Sequence, residues 1–480
     1  MLNPSSIKTK FINGVMWGII EKFASLFVGF VITLILARIL SPSDYGLINM
    51  IYIFTVLGTV LLDGGFGQAI IQRKTLTDGD ISSVFYINLM MSAIIYIILY
   101  FCAPLIASFY CQPSLVEISR VVFVTIPINA LCVIQHTLLT KELKVKELTY
   151  VSIISSLVSG SVGILLAYND YGVWALVFQS VSYQLVRSIV LWGFSKWRPV
   201  LIFSASFIKS IFGFSMNLLG VFTLASVFQN IYTLMIGRLY NVNDVGYYNQ
   251  AFRMQSVATG AIMSSVQRVT FPTFSKFQDN IDELKEVYQR VTVIMMSIYF
   301  PLMMCLVIIS KDLFVVLLTD KWLPSVPMFC VLCVAESLYP LNNMNSAVLK
   351  AVGKGRQYFV LNIVNYIVLS ISILLTFKFG IIVLLIGYAV SAFIRSLISM
   401  IVCGRVIKYS LIDQIRDLLP TVLVAMITCG FVYITAILPI QPTIRLILSV
   451  LTGVIVYIGI NVASKSKLYK ELLSIIKDRR

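Results

Sequence analysis

Long apolar stretches alternate with short polar segments along almost the whole chain. A stretch of about 20 apolar residues is long enough to cross the hydrocarbon core of a bilayer as a helix. The pattern predicts about fourteen such spans, at 14–37, 45–71, 82–104, 120–139, 149–168, 172–194, 211–237, 246–270, 290–310, 326–349, 357–377, 380–402, 417–437 and 443–462. Because the connections between them are short, we expect an all-α integral membrane protein with no separate extramembrane domain.

The composition supports this class, and the placement of charge orients the chain. Hydrophobic residues make up 59% of the sequence and charged residues 12%, whereas a soluble domain carries about a quarter charged residues. With the N-terminus placed inside, most of the 37 lysines and arginines fall in the loops and tail of one side. By the positive-inside rule this side is cytoplasmic, so both termini are predicted there. The net charge of +16 therefore requires no nucleic-acid partner.

A motif near the first loop recurs in the second half of the chain. The segment 36–50 (LARILSPSDYGLINM) aligns without a gap with 236–250 (IGRLYNVNDVGYYNQ). The identical pairs are Arg38 with Arg238, Asp44 with Asp244, Gly46 with Gly246, and Asn49 with Asn249. The alternative is that an aspartate followed by a glycine marks the start of unrelated helices in both places.

Two further correspondences keep the same order and favour an internal duplication. The segment 127–129 (PIN) recurs as 340–342 (PLN), and Arg187-Ser188 recurs as Arg395-Ser396. We therefore predict three parts: 1–198 with six spans, 199–408 with six more, and 409–480 with two spans and a basic tail.

Charged residues inside the predicted spans are the main candidates for function. A charge at the centre of a span costs about 2.5–3.5 kcal/mol on insertion scales, so it usually faces a cavity or a partner. The basic candidates are Lys22, Arg187, Arg253, Arg268 and Arg395, and the acidic ones are Glu21, Asp63 and Glu336. The excess of basic residues indicates an anionic ligand, and the forked guanidinium donors of arginine suit phosphate. The alternative is internal ion pairing together with snorkelling to the interface.

No catalytic or metal-binding constellation emerges, so we predict a protein without enzymatic activity, metal or cofactor. Asp78-Gly79-Asp80 matches the D-x-D pattern that holds a metal–nucleotide in many glycosyltransferases. Thr77 or Asp78 is also a good N-cap for the next helix, and this interpretation is preferred. The pair Cys330-x-x-Cys333 lies in an apolar helix without the second pair or histidine that a zinc site requires.

Several segments resemble a known family. The segments 37–46 (ARILSPSDYG) and 63–74 (DGGFGQAIIQRK) resemble Wzx-type polysaccharide and O-antigen flippases, which belong to the multidrug/oligosaccharidyl-lipid/polysaccharide exporter superfamily. The segment 267–279 (QRVTFPTFSKFQD), followed by Lys321-Trp322, is similar to the colanic-acid-type branch. Arg187 and Arg268 stand where this branch also carries arginine, whereas Arg253 stands where an aromatic residue is more typical.

This resemblance implies two six-helix lobes around a central cavity, followed by two additional helices. It implies a flippase of the bacterial inner membrane that moves polyprenyl-diphosphate-linked oligosaccharide repeat units from the inner to the outer leaflet by alternating access. The product would be O-antigen, capsule or exopolysaccharide. The implied partners are this lipid-linked oligosaccharide, membrane lipids, a polysaccharide polymerase and a chain-length regulator.

Two other functions remain open at this point. A drug/cation antiporter of the same superfamily would favour a net-acidic cavity, and the candidates here are net basic. An integral-membrane glycosyltransferase would depend on Asp78 and Asp80. Glu21, Asp63 or Glu336 would serve to couple transport to protons or sodium, and the sequence does not choose among them.

Overall fold

The computed structural model of the chain describes residues 27–73 and 75–464, and in one long helix it leaves out the side chains of 261, 262 and 264–269. The candidates Glu21 and Lys22 lie outside the described residues, as do the side chain of Arg268 and the tail from residue 465.

The chain divides into two compact units, Met1–Asn249 and Gln250–Arg480. The predicted three-part division at 198 and 408 stays a prediction. The helices of the first unit are α1 (Phe27–Ile39), α2 (Pro42–Asp63), α3 (Phe66–Gln72), α4 (Asp78–Tyr110), α5 (Leu115–Val122), α6 (Thr125–Lys141), α7 (Val145–Tyr168), α8 (Val173–Phe194) and α9 (Ala205–Leu239).

Helix α10 (Val242–Lys276) begins in the first unit and continues into the second. The other helices of the second unit are α11 (Ile281–Leu317), α12 (Ser325–Glu336), α13 (Tyr339–Ala351), α14 (Gly355–Thr376), α15 (Ile381–Val406), α16 (Leu411–Ala436) and α17 (Pro442–Ala463), with a 3₁₀ turn at Asp320–Trp322. No strand occurs among the described residues, which confirms the predicted all-α class.

Twelve stretches of the described chain are long and apolar enough to cross a membrane, and each coincides with a predicted span. Large apolar side chains such as Phe101, Leu374 and Met426 are exposed on them, as expected where helices face lipid. The predicted span 14–37 lies mostly outside the described residues, and 246–270 corresponds to the more polar α10. The count of fourteen therefore stays a prediction.

The repeated motif builds the same helix start twice. Asp44 accepts a hydrogen bond from the backbone N–H of Ser41 at 2.9 Å, and the hydroxyl of Ser41 accepts from the N–H of Asp44. At the second copy, Asn241 accepts from the N–H of Asp244 at 2.9 Å, and Asp244 accepts in return. These reciprocal caps satisfy backbone donors that a helix start leaves free. They explain the aspartate that the two copies share.

The shared glycines are explained by packing, because the two helix starts contact each other inside the first unit. A Cβ atom at Gly46 would overlap the backbone oxygen of Val242, and one at Gly246 would overlap the backbone oxygen of Pro42. Both positions therefore exclude any side chain, because the neighbouring atoms belong to backbone that cannot rotate away. Close backbone approach through small residues is a common way to pack helices in membranes.

We expect Gly46→Ala and Gly246→Ala each to lower the stability of the protein by about 1–3 kcal/mol, because a buried overlap must push two helix starts apart. The measurement is thermal unfolding of the detergent-purified variants. Gly193→Ala is the matched control, since no neighbouring atom lies near a Cβ at that position. Equal melting temperatures for all three variants would contradict the packing argument.

Candidate functional site

The second span is broken by two glycines. Helix α2 ends at Asp63, and Gly64 and Gly65 follow with φ of +50° and +77°, a left-handed backbone that glycine adopts without strain. Helix α3 then begins at Phe66, which packs with Ile70 in a cluster with residues of α4 and α6. The side chain of Asp63 accepts the N–H of Gly67 at 3.3 Å. Asp63 is therefore held at the break rather than within a continuous helix.

A second kind of break occurs at equivalent places of the two units. One span is interrupted between α5 and α6 at residues 123–124, and another between α12 and α13 at residues 337–338. The repeated Pro127 and Pro340 follow these breaks directly. Broken helices at corresponding positions of duplicated transporters commonly mark the binding region. The side chains around each break are therefore candidates for the binding site.

In the first unit, an open pocket of about 290 Å³ lies between α2, α3, α6 and α8. Seven of its ten lining residues have polar side chains, and the full lining consists of Asp63, Gly67, Gln68, Ile71, Asn129, Val133, His136, Thr137, Thr140 and Arg187. Two of the predicted site residues, Asp63 and Arg187, thus come together in one pocket although 124 positions separate them in the sequence.

Arg187 is half-buried in this pocket. Its Nη1 donates to Oδ1 of Asn129 at 3.3 Å, and Nε2 of Gln184 donates to the same oxygen at 2.7 Å. Within residues 27–73 and 75–464, no carboxylate forms an ion pair with Arg187. The guanidinium is thus oriented by a neutral amide, and most of its donors remain available to a ligand.

The sequence pattern alone did not assign His136 or Asn129 to a site. Both lie on α6, and Asn129, Val133, His136 and Thr140 follow each other at spacings of four, three and four residues. This spacing places all four on one face of a helix. Helical periodicity within the span would have identified this polar face. It does not show that the face opposes Arg187 on another helix.

Lys141 ends α6, directly after Thr140 of the pocket lining. Its Nζ donates to the backbone oxygens of Ile70 at 2.9 Å and Arg73 at 2.7 Å. These are free carbonyls at the end of α3, where a cation is favourable. Lys141 therefore holds the short helix α3 against the end of α6.

In the second unit, Arg395 and Glu336 lie around the break between α12 and α13. The hydroxyl of Tyr388 donates to Oε1 of Glu336. The guanidinium of Arg395 lies 5.7 Å from the centre of the Tyr388 ring, and its Nε donates to the backbone oxygen of Ser391. The sequence assigned Arg395 to substrate binding and Glu336 to ion coupling, and the structure places them beside one shared tyrosine.

Asparagines near this break form a continuous network. Asn342 donates to Ser396 at 2.9 Å and accepts from Ser399 at 2.8 Å, and Asn345 donates to Ser399 at 2.8 Å. The hydroxyl of Tyr288 donates to Asn345 at 2.6 Å. The network ties α13 to α15 and α11, so these amides serve helix packing.

The remaining predicted site residue with a described side chain, Arg253, is exposed on α10. Asp80 and Thr77 cap each other at the start of α4, with N–H to side-chain oxygen distances of 3.0 and 3.2 Å, which confirms the helix-cap interpretation of the D-x-D segment. Among the described residues, no group of three histidine, cysteine or acidic side chains is placed to hold a metal ion.

Comparison with known proteins decides the family. A family model described as "Polysaccharide biosynthesis protein" matches residues 35–327, more than half of the chain. The chain belongs to this polysaccharide biosynthesis family. The match begins at the first copy of the repeated motif and extends through the break of the second span and the Arg187 pocket.

Relatives and solved structures agree with the family. The teichuronic acid biosynthesis protein TuaB of Bacillus subtilis (strain 168) is 26% identical over 482 residues, covering 97% of this chain and 99% of TuaB. The lipopolysaccharide biosynthesis protein WzxC of Escherichia coli (strain K12) is 24% identical over 367 residues, covering 75% of this chain and 73% of WzxC.

Among solved structures, the lipid II flippase MurJ in an inward closed conformation matches with a TM-score of 0.76 at 15% identity, covering 96% of this chain and 100% of MurJ. This family member therefore has the MurJ fold. The predicted resemblance to Wzx-type flippases and the predicted multi-pass membrane fold are confirmed.

Proposed function

We propose that the protein is a flippase that moves polyprenyl-diphosphate-linked oligosaccharides from the inner to the outer leaflet for surface polysaccharide biosynthesis. The observation that carries this proposal is the pocket around Arg187, an open cavity inside a membrane-spanning unit where the guanidinium forms no ion pair with a described carboxylate. Such a site suits a phosphate group, because a guanidinium gives a phosphate charge-assisted hydrogen bonds.

The relatives support the same class of substrate. WzxC is named for lipopolysaccharide biosynthesis, TuaB for teichuronic acid biosynthesis, and MurJ as a lipid II flippase. From these names we infer the cargo of this protein, which is a lipid-linked sugar. Its diphosphate enters the pocket while its polyprenyl chain stays in lipid. Lys22, Arg253 and Arg268 remain proposed as further cationic contacts, and Glu21 and Asp63 as ion-coupling residues.

The same proposal covers the cellular setting. We place the protein in the bacterial cytoplasmic membrane with both termini cytoplasmic, following the asymmetry of lysine and arginine. A polysaccharide polymerase and a chain-length regulator are proposed partners, because they would consume the exported repeat units. The protein acts as a transporter in this proposal and performs no covalent chemistry.

The two other functions are less consistent with the site. A drug/cation antiporter needs a pocket that attracts cations, and the half-buried Arg187 repels them. A glycosyltransferase needs Asp78 and Asp80 free to hold a metal–nucleotide, and Asp80 is occupied by the cap of α4.

A vesicle assay tests the function directly. The purified protein is reconstituted into phosphatidylethanolamine–phosphatidylglycerol vesicles that carry a fluorescent polyprenyl-diphosphate-linked sugar in both leaflets. Dithionite added outside bleaches only the outer leaflet, so we expect nearly complete bleaching with the protein and protection of the inner half without it. Protected fluorescence in both preparations would overturn the proposal. Sugar transfer from a nucleotide donor by the same protein would instead favour the glycosyltransferase.

A further inference from the structure

Glu336 occupies a special position in the second unit, at the end of α12, directly before the break at residues 337–338. The hydroxyl of Tyr388 on α15 donates to its carboxylate. Arg395 lies seven residues after Tyr388 on α15, a spacing of two turns that returns to the same face. Its guanidinium lies 5.7 Å from the centre of the Tyr388 ring, so Arg395 and Glu336 both contact the same tyrosine.

The duplication shows that the fold itself does not require this arrangement. When the two halves of the chain are aligned so that Pro127 matches Pro340, Glu336 corresponds to Phe123. Phe123 is fully buried at the matching break of the first unit. On the offset that aligns Arg187 with Arg395, Tyr388 corresponds to Ser180.

Both units thus keep the arginine, but at these two corresponding positions only the second has a carboxylate and a tyrosine. A break of the same kind is stable in the first unit without them. The carboxylate therefore has a role that the shared fold does not explain.

Building on the flippase function above, we propose that Glu336 takes up a proton when the diphosphate of the substrate binds, and that Arg395 exchanges between Glu336 and this diphosphate. With Arg395 nearby, the guanidinium charge stabilises the ionised carboxylate. When a diphosphate takes over Arg395 through forked hydrogen bonds, the half-buried carboxylate loses its compensating charge. It then takes up one proton from water and becomes a neutral acid. Release of the diphosphate returns Arg395 and expels the proton.

The neighbours of Glu336 favour a proton over a metal ion. The titratable or charged groups facing it in the described part of the chain are Tyr388 and Arg395 on α15, Tyr299 on α11, and Cys333 on its own helix. A sodium or calcium site needs several oxygen ligands that accept rather than donate. Here Tyr388 donates to the carboxylate, and the charge of Arg395 opposes a second cation.

Binding of farnesyl diphosphate to the detergent-purified protein tests the exchange. We expect the affinity of the wild type to fall by up to about tenfold for each unit of rising pH, because binding takes up a proton. Glu336→Gln resembles the protonated acid, so this variant should bind at least as tightly and lose that part of the pH dependence. The diphosphate itself also titrates, but it contributes equally to both proteins, so the difference in slope isolates Glu336.

Arg187→Lys serves as a control, because it should weaken binding in the first unit while the pH dependence of binding keeps the slope of the wild type.

Thermal unfolding of Glu336→Gln and Tyr388→Phe is measured in parallel, and both should remain folded. Identical slopes for the wild type and Glu336→Gln would overturn the proton site while leaving the flippase proposal standing. If the wild type binds no farnesyl diphosphate, the proposed function fails and this inference fails with it. If Glu336→Gln does not fold, Tyr388→Phe, which keeps the carboxylate, must show a changed slope, and an unchanged one overturns the proposal.

Discussion

Replacing Arg187 with alanine should abolish most transport of the lipid-linked sugar while leaving the protein folded. Arg187 lies in an open pocket, and its described side-chain partner is the neutral amide of Asn129. Its removal therefore breaks no ion pair among the described residues. Each hydrogen bond between a charged group and its ligand contributes about 1.5–3 kcal/mol, so transport should be roughly tenfold to a hundredfold slower at limiting substrate.

Lysine at this position keeps the charge but loses the fork, so Arg187→Lys should have an intermediate rate. The rates are measured in the vesicle assay, together with thermal unfolding of each variant. Lys209→Ala is the matched control, because it removes one positive charge from an exposed position of the same unit. Normal transport by Arg187→Ala would remove this residue from the site. Loss of transport together with a collapsed melting temperature would assign it a structural role.

The sequence alone predicts the same behaviour for Arg187 and Arg395, because they occupy equivalent places in the repeat. The structure separates them. Arg395→Ala would leave Glu336 half-buried without its nearby cation, so we expect it to alter the pH dependence of binding as well as the affinity. Arg187→Ala should change the affinity alone.

Removing Arg445 from its ion pair with Asp312 should strongly destabilise the second unit. Nε of Arg445 lies 2.6 Å from Oδ2 of Asp312, and Nη2 lies 2.5 Å from Oδ1. Asp312 is only 6% exposed, and the pair fastens the last helix α17 to α11. Arg445→Ala leaves this carboxylate buried without a partner, which typically costs about 3–5 kcal/mol.

Thermal unfolding of the purified protein measures this effect, and we expect a clearly lower melting temperature for Arg445→Ala. Lys311→Ala is the control, since Lys311 is exposed and adjacent to Asp312. The double variant Asp312→Leu with Arg445→Leu should recover much of the loss, because an apolar pair removes the unpaired charge. An unchanged melting temperature for Arg445→Ala would mean that the pair contributes nothing to holding α17.

Local features of the molecule follow from the sequence. The twelve spans that the structure describes coincide with apolar stretches, because a helix in lipid satisfies its own backbone and needs only a continuous apolar surface. The caps at Asp44, Asp244 and Thr77 are likewise local, since each links residues three positions apart. The family resemblance depends on such short segments, and it is confirmed as well.

The functional pairings were decided by the tertiary structure. Asp63 meets Arg187 in one pocket, Tyr388 joins Glu336 to Arg395, and Asp312 binds Arg445. Each of these groups brings together residues of different helices, so it depends on how far each helix is rotated and shifted against its neighbour. Hydropathy determines that a segment crosses the membrane, but it leaves this rotation and shift open. They are set by side-chain packing across the whole unit, such as the close approach of Gly46 to Val242.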